Sequence, residues 1–148
     1  MLWEIQSMQV VSLHDKKEIE CFLRENVDLN IYSLGDLDDF FWPYTVWYAS
    51  KQRGAVRAIA LLYIGQSVPT LLAICDECRA MSALLKAIAH LLPPRFYAHL
   101  SPGLASVFES GYERQSHGSH FKMALRDESA VAGWDCSGVV PLGMHDLN

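Results

Sequence analysis

The chain has 148 residues, of which 51% are hydrophobic and 20% are charged, and its formal net charge is -5. This composition is typical of a single folded domain and excludes an intrinsically disordered chain. The 12 basic residues are scattered along the sequence, which disfavours a nucleic-acid-binding surface. No apolar run approaches the roughly 20 residues of a membrane-spanning helix. We therefore expect a cytoplasmic protein that binds neither nucleic acid nor a membrane.

The spacing of apolar residues predicts an α/β chain. Short apolar runs bounded by glycine or proline are typical of buried strands, and apolar residues at every third or fourth position are typical of a helix packed on a sheet. In chain order, the predicted elements are strand 9–13, helices 15–24 and 30–37, strands 45–50, 55–64 and 70–75, helix 79–92, strand 95–100, helix 102–110, and strands 112–116 and 120–126. Asn30 and Asp76 are predicted to cap the second and third helices, and Gly111 to close the fourth.

Residues 35–48 have the most unusual composition in the chain, with three acidic and six aromatic residues. One interpretation is a recognition loop in which aromatic faces and carboxylates hold a cationic or amine-bearing ligand. The candidate residues for such a substrate cleft are Asp36, Asp38, Asp39, Trp42, Tyr44 and Trp47. The other interpretation, which the large burial area of aromatic rings favours, places the rings in the core and the acids at a solvated turn.

Four cysteines give no complete metal motif. Cys75 and Cys78 form a C-x-x-C pair, but zinc requires a second pair, and Cys21 and Cys136 stand alone in the sequence. The acids between the paired cysteines oppose the thiolate form that redox chemistry requires. Two packed thiols are therefore favoured over a metal or redox site.

Three histidines in the second half of the chain are candidates for a metal site or for acid–base catalysis. His117 and His120 flank a predicted turn without an acidic or thiol partner nearby, so solvated loop histidines are favoured over a metal pair. His99 lies on the strand 95–100, where a hydrogen-bonded core histidine is expected. No nucleophile motif accompanies it, and no catalytic residue is assigned.

The order of the predicted elements resembles the fold of the GCN5-related N-acetyltransferases, the GNAT superfamily, over nearly all of the chain. Four stretches resemble more closely the amino-terminal half of bacterial proteins that carry two such modules in tandem: IYSLGDLDDFFWPYTVWYA, LLYIGQSVPTLLA, RFYAHLSPG and HFKMAL. The resemblance implies a mixed, mostly antiparallel twisted sheet flanked by helices. In that fold the strands 70–75 and 95–100 are parallel and are joined by a right-handed crossover through the central helix.

The resemblance is weakest at the cofactor loop. Catalytic GNAT proteins have an (R/Q)-x-x-G-x-(G/A) loop whose amides hold the pyrophosphate of coenzyme A. In the aligned segment Arg79 fits and is the one candidate cofactor-binding residue, but Ser82 and Leu84 replace the glycines. Asp76 and Glu77 add negative charge directly before it.

These departures imply an accessory, non-catalytic module of an N-acetyltransferase that binds no cofactor itself. It would supply packing surface and part of an acceptor cleft. One alternative is an active N-acyltransferase with an atypical loop, in which acetyl-CoA pairs with the main chain of the strand 70–75. Another alternative is a stand-alone module that binds a small ligand at the aromatic segment.

A short internal sequence repeat bears on the domain organisation. Residues 139–146 repeat the pattern of residues 10–15, an apolar strand that leads to a His-Asp pair. We therefore expect a GNAT-like domain over residues 1–126, followed over residues 127–148 by a linker and the truncated start of a second module. Trp42, Trp47 and Val139–Val140 are expected to face that module or a second copy of the chain, so a homodimer is expected for the isolated chain.

Overall fold

The computed structural model describes residues 8–141 and residue 143. In this part of the chain the strands and α-helices, in order, are β1 (Gln9–Leu13), α1 (Lys16–Leu23), α2 (Val27–Gly35), β2 (Thr45–Gln52), β3 (Ala55–Tyr63), β4 (Thr70–Ala73), α3 (Cys78–Ile88) and β5 (Tyr97–Leu100). Short 3-10 helices lie between several of them, and one at Leu104–Phe108 follows β5. Within the same residues no helix is both long and apolar enough to cross a membrane.

The five strands form one mixed sheet whose spatial order is the order of the chain, β1-β2-β3-β4-β5. The first three pairings are antiparallel, and β4 pairs with β5 in parallel, with Thr70 opposite Tyr97 and Ala73 opposite Leu100. Parallel neighbours need a long connection, which α3 supplies. The predicted fold class is confirmed, with β4 and β5 adjacent in the same sheet.

The sheet separates two apolar clusters because successive residues of β3 point to opposite faces. Ala60 and Leu62 join the cluster beneath α3, whereas Ile59 and Leu61 join the cluster on the α1 face. The buried side chains of α3 are Met81, Leu84, Leu85 and Ile88, as the helical spacing predicts. Both faces of β3 are therefore covered, which explains its nearly continuous apolar sequence.

The predicted start of the second helix is wrong. α2 begins at Val27, and its cap is Asn26, whose side chain accepts a hydrogen bond from the N–H of Leu29 at 3.2 Å. Asn30 lies inside the helix, where its side-chain amide donates to the carbonyl oxygen of Leu23 at 3.0 Å. By residue type, either asparagine could cap the helix. The hydrogen bond from Asn30 to Leu23, at the end of α1, engages Asn30 elsewhere and leaves Asn26 as the cap.

The two strands predicted after residue 111 are also wrong, because residues 112–126 form no strand in the structure. Apolar residues do alternate in this segment, but their side chains are not buried: Phe121 and Met123 are 91% and 89% exposed. Side chains attach this segment to α2 instead. Arg126 donates from Nε and Nη2 to Oδ2 of Asp28 at 2.9 and 2.7 Å, and Lys122 donates to the carbonyl oxygen of Leu29.

The helix predicted over 102–110 is a 3-10 helix that ends earlier than expected. Its C-cap is Glu109, so Gly111 does not occupy the predicted closing position. The N–H of Gly111 still donates to the carbonyl oxygen of Phe108 at 3.1 Å. Leu104 and Phe108 are buried in the cluster beneath α3.

Candidate functional site

The junction between β4 and α3 is where the resemblance places a cofactor, and Ser101 closes the gap between the strands there. The N–H of Cys75 donates to Oγ of Ser101 at 2.9 Å, and that hydroxyl donates to the carbonyl oxygen of Cys75 at 3.1 Å. The N–H of Ser101 donates to the carbonyl oxygen of Ala73 at 3.1 Å. The carbonyl of Ala73 and both the N–H and the carbonyl of Cys75 are thus engaged within the protein.

The first turn of α3 has acidic neighbours, but no carboxylate caps it with a hydrogen bond. Glu77 occupies the N-cap position without a capping hydrogen bond from its side chain. Asp76, predicted to be the cap, instead accepts a hydrogen bond from Nδ2 of Asn26 at 2.7 Å. That bond draws Asp76 toward the start of α2, which the sequence around α3 could not indicate. Asp76, Glu77 and Arg79 are all exposed at this turn.

The acidic and aromatic segment after α2 holds a cation from the chain itself. The ammonium group of Lys16 forms an ion pair with Asp39 and lies 4.9 Å from the ring centroid of Trp42. The hydrogen bond and the charge of Lys16 lower the pKa of Asp39. Asp38 accepts from the N–H of Phe40 at 2.9 Å, which stabilises the turn. Asp39 and Trp42, two of the candidate cleft residues, therefore interact with a lysine of the chain itself.

The aromatic candidates are divided between two environments. Trp42 and Trp47 stack at 6.3 Å, and Trp47 is only 2% exposed in the cluster on the α1 face. Tyr44 is exposed and meets the ring of Tyr63 edge to face at 6.4 Å. The expectation that Trp47 faces a second module or a second copy is wrong, because its ring is buried in the core. Val139 and Val140, from the same predicted patch, are 71% and 77% exposed.

Asp36 is half-buried at the end of α2, and this burial raises the pKa of its carboxyl. The carboxyl costs no stability while it is protonated in both states, below the unfolded-state pKa. The cost of burying its charge then appears as the pH rises through the folded-state pKa. We expect Asp36→Asn to raise the free energy of unfolding at about pH 7, by no more than about 0.5 kcal/mol, and to bring no gain near pH 3. Urea denaturation at both pH values measures this, with Asp38→Asn as the exposed control. A gain at the lower pH only would contradict it.

The histidines do not assemble into a site. His99 is exposed on β5, so the predicted core environment is wrong; β5 is the last strand of the sheet in the described part of the chain. The ring of His117 lies 6.2 Å from that of Tyr97. Among the described residues no group of three or more histidine, cysteine or acidic side chains is arranged to hold a metal ion.

Two surface clefts of about 320 and 370 Å³ lie between α2 and residues 121–126, and Asn26, which contacts Asp76 of the β4–α3 junction, lines the smaller one. Asp28, Lys122 and Met123 line both of them. Sequence reasoning assigned no role to Lys16, Ser101 or Asn26, which make the decisive contacts of the two candidate regions. Their partners lie 23 to 50 residues away in the chain, and no local pattern indicates such contacts.

Comparison with known proteins supports the fold. No protein-family model and no curated protein sequence matches the chain. Among solved structures, ribosomal-protein-alanine N-acetyltransferase from Brucella melitensis biovar Abortus 2308 is 13% identical with a TM-score of 0.51, over 80% of this chain and 99% of that one. Aminoglycoside N-acetyltransferase AAC(6')-Iy in complex with CoA is 12% identical with a TM-score of 0.51, over 84% and 100%. The chain therefore has the fold of the GCN5-related N-acetyltransferases.

Proposed function

We propose that this chain is an accessory, non-catalytic module of an acetyl-CoA-dependent N-acetyltransferase. It packs against a catalytic module or a second copy of itself and supplies part of an acceptor cleft. The observation that carries this proposal is the β4–α3 junction, where Ser101 engages the main chain of Cys75 and two exposed carboxylates precede the helix. The acidic and aromatic segment gives a stand-alone ligand-binding module little support, because Lys16 already interacts with Asp39 and Trp42.

The position of β4 in the sheet opposes cofactor binding by main-chain pairing. β4 lies between β3 and β5, so a ligand strand could reach the edge of β4 only by displacing β5. Beyond the paired residues, the N–H of Cys75 donates to the hydroxyl of Ser101, and that hydroxyl donates to the carbonyl of Cys75. A pantetheine-like chain would find few free partners along this strand.

The charge at the start of α3 opposes a diphosphate. Asp76 and Glu77 are both exposed beside the first turn, where one like-charge pair at 4 Å costs up to about 4 kcal/mol at an effective dielectric constant near 20 and less where solvent screens it. Arg79 is the compensating charge of this turn. The open loop that a phosphate needs is also missing, since Ser82 and Leu84 lie within α3.

A second candidate is an active N-acetyltransferase that uses acetyl-CoA. The first-turn amides of α3 receive no capping bond from Glu77, and an open helix N-terminus is favourable for an anion. One solved structure with this fold is a complex with CoA. In this candidate Arg79 would contact the pyrophosphate, and Asp36, Asp38 and Asp39 would lie near the acceptor amine.

Titration with acetyl-CoA separates the two candidates. For the accessory module we expect no saturable heat at millimolar acetyl-CoA and no change in Tm. A ligand at 100 times its Kd would instead stabilise the folded state by about 2.7 kcal/mol. Asp76→Gly/Glu77→Gly removes the repulsion but supplies no phosphate loop, so its binding should stay weak.

The matched control is Arg79→Ala, which removes the one favourable charge of the turn. Saturable micromolar binding by the unmodified chain, lost in Arg79→Ala, would overturn the accessory function and establish the active enzyme in its place.

A further inference from the structure

Two cysteines of the β4–α3 junction lie close enough to react with each other. The sulfur of Cys75 donates a hydrogen bond to that of Cys78 over 3.5 Å, and both residues are half-buried. The thiol of Cys78 lies 3.8 Å from the carbonyl oxygen of Pro102. The other two cysteines, Cys21 and Cys136, are exposed and lie elsewhere in the chain.

We propose that Cys75 and Cys78 form a dithiol site that hydroperoxides oxidise to an intramolecular disulfide. A disulfide requires a sulfur separation of roughly 2.0 Å, so the two sulfurs must approach by about 1.5 Å. The cysteines are separated by Asp76 and Glu77. These two residues precede α3, so their backbone is not part of the helix. The closure therefore falls within the short segment 75–78 at the start of α3.

The surroundings give the two thiols different roles. We assign Cys78, the first residue of α3, as the attacking group, because its sulfur accepts the hydrogen bond that the thiol of Cys75 donates. Burial, followed by the hydrogen bond to Cys78, raises the pKa of Cys75 to about 12. Cys75 therefore stays protonated at neutral pH and acts second, as the resolving thiol.

The reaction balances as a two-electron oxidation. The Cys78 thiolate attacks one oxygen of the hydroperoxide, the O–O bond breaks, and hydroxide or alkoxide leaves, so that Cys78 becomes a sulfenic acid. The sulfur of Cys75 then attacks the sulfur of Cys78. The S–S bond forms, the S–O bond breaks, and the proton of Cys75 leaves with the hydroxyl group as water. Two thiols are oxidised, and one peroxide is reduced.

This inference is independent of the proposed function, because it needs no acetyl-CoA and no partner module. Its consequence is local. The disulfide would join the segment after β4 covalently to the first turn of α3, next to the hydrogen bonds of Ser101 with Cys75. The dithiol site thus provides a reversible covalent modification at the start of the helix.

The test uses the full chain carrying Cys21→Ser and Cys136→Ser, so that only the proposed pair remains. After treatment with hydrogen peroxide we expect the intact mass to fall by two hydrogens, both thiols to resist alkylation, and dithiothreitol to reverse both effects. In the same background Cys75→Ser should accumulate a sulfenic acid at Cys78 that dimedone traps. Cys78→Ser should react at least about tenfold more slowly, because the protonated Cys75 is a poor nucleophile.

Three outcomes would overturn the proposal. Both thiols could remain open to alkylation after peroxide, Cys78 could proceed to sulfinic acid without a disulfide, or the oxidised product could consist only of intermolecular dimers. Circular dichroism of each variant before oxidation shows whether it is folded. Should Cys78→Ser fail to fold, the mass and alkylation result of the two-cysteine protein decides alone.

Discussion

Leu84→Ala is expected to lower the free energy of unfolding by about 2–5 kcal/mol, the range for removing a fully buried leucine side chain. Leu84 is 0% exposed, and α3 presses it into the cluster that contains Leu71 of β4 and Phe108. The cluster combines buried residues of several elements, so we expect the cavity to collapse only in part. Urea denaturation followed by circular dichroism measures the loss.

The control for this change is Leu91→Ala, which removes the same atoms from a residue that is 53% exposed. Leu91 lies within the predicted helix 79–92, but the last turn tightens to a 3-10 helix at Ala89–Leu91 and leaves this side chain exposed. We expect a change within about 0.5 kcal/mol. Equal losses for the two variants would contradict the described packing of α3.

Trp47→Ala is expected to cost about 3–5 kcal/mol of stability. The side chain is 2% exposed, stacks on Trp42, and donates from Nε1 to Oγ1 of Thr45 at 2.8 Å. Trp47→Phe keeps an aromatic ring but loses the donor, so its cost should be smaller. Thermal and urea unfolding measured for both variants give the comparison.

Trp134→Ala provides the matched control, because this tryptophan is 74% exposed. Its substitution should leave the free energy of unfolding within about 0.5 kcal/mol of the original value. The pair also tests the predicted contact surface. A stable Trp47→Ala protein that had changed only its association state would show that the indole binds a partner and does not hold the core.

The strands and the central helix could be predicted because apolar burial leaves a periodic pattern in the sequence. β3 is covered on both faces and has a continuous apolar run, while α3 is covered on one face and has helical spacing. Residues 120–126 have the same alternation as a strand, with Phe121 and Met123 on one side, yet these side chains remain exposed. A periodic apolar pattern indicates which side chains a segment could bury. Whether the segment pairs as a strand depends on a neighbouring strand, which the local sequence does not specify.

The candidate site was harder to predict because long-range polar contacts determine it. The sequence indicates that carboxylates and aromatic rings lie together after α2, but it does not indicate that Lys16 from α1 reaches them. Likewise, Asp76 is a good local cap, and only the position of Asn26 across the structure explains why it does not cap α3. Such contacts depend on how the elements pack, which no local motif encodes.

The arrangement of the strands in chain order has a consequence for how the protein folds. No strand has to enter between two strands that are already paired, so a chain emerging from the ribosome can add each strand to an existing edge. The pairing of β2 with β3 closes the shortest connection and is expected to form early. The addition of β5 must wait for α3 and closes a much longer loop, so we expect it to be the late and slow step of folding.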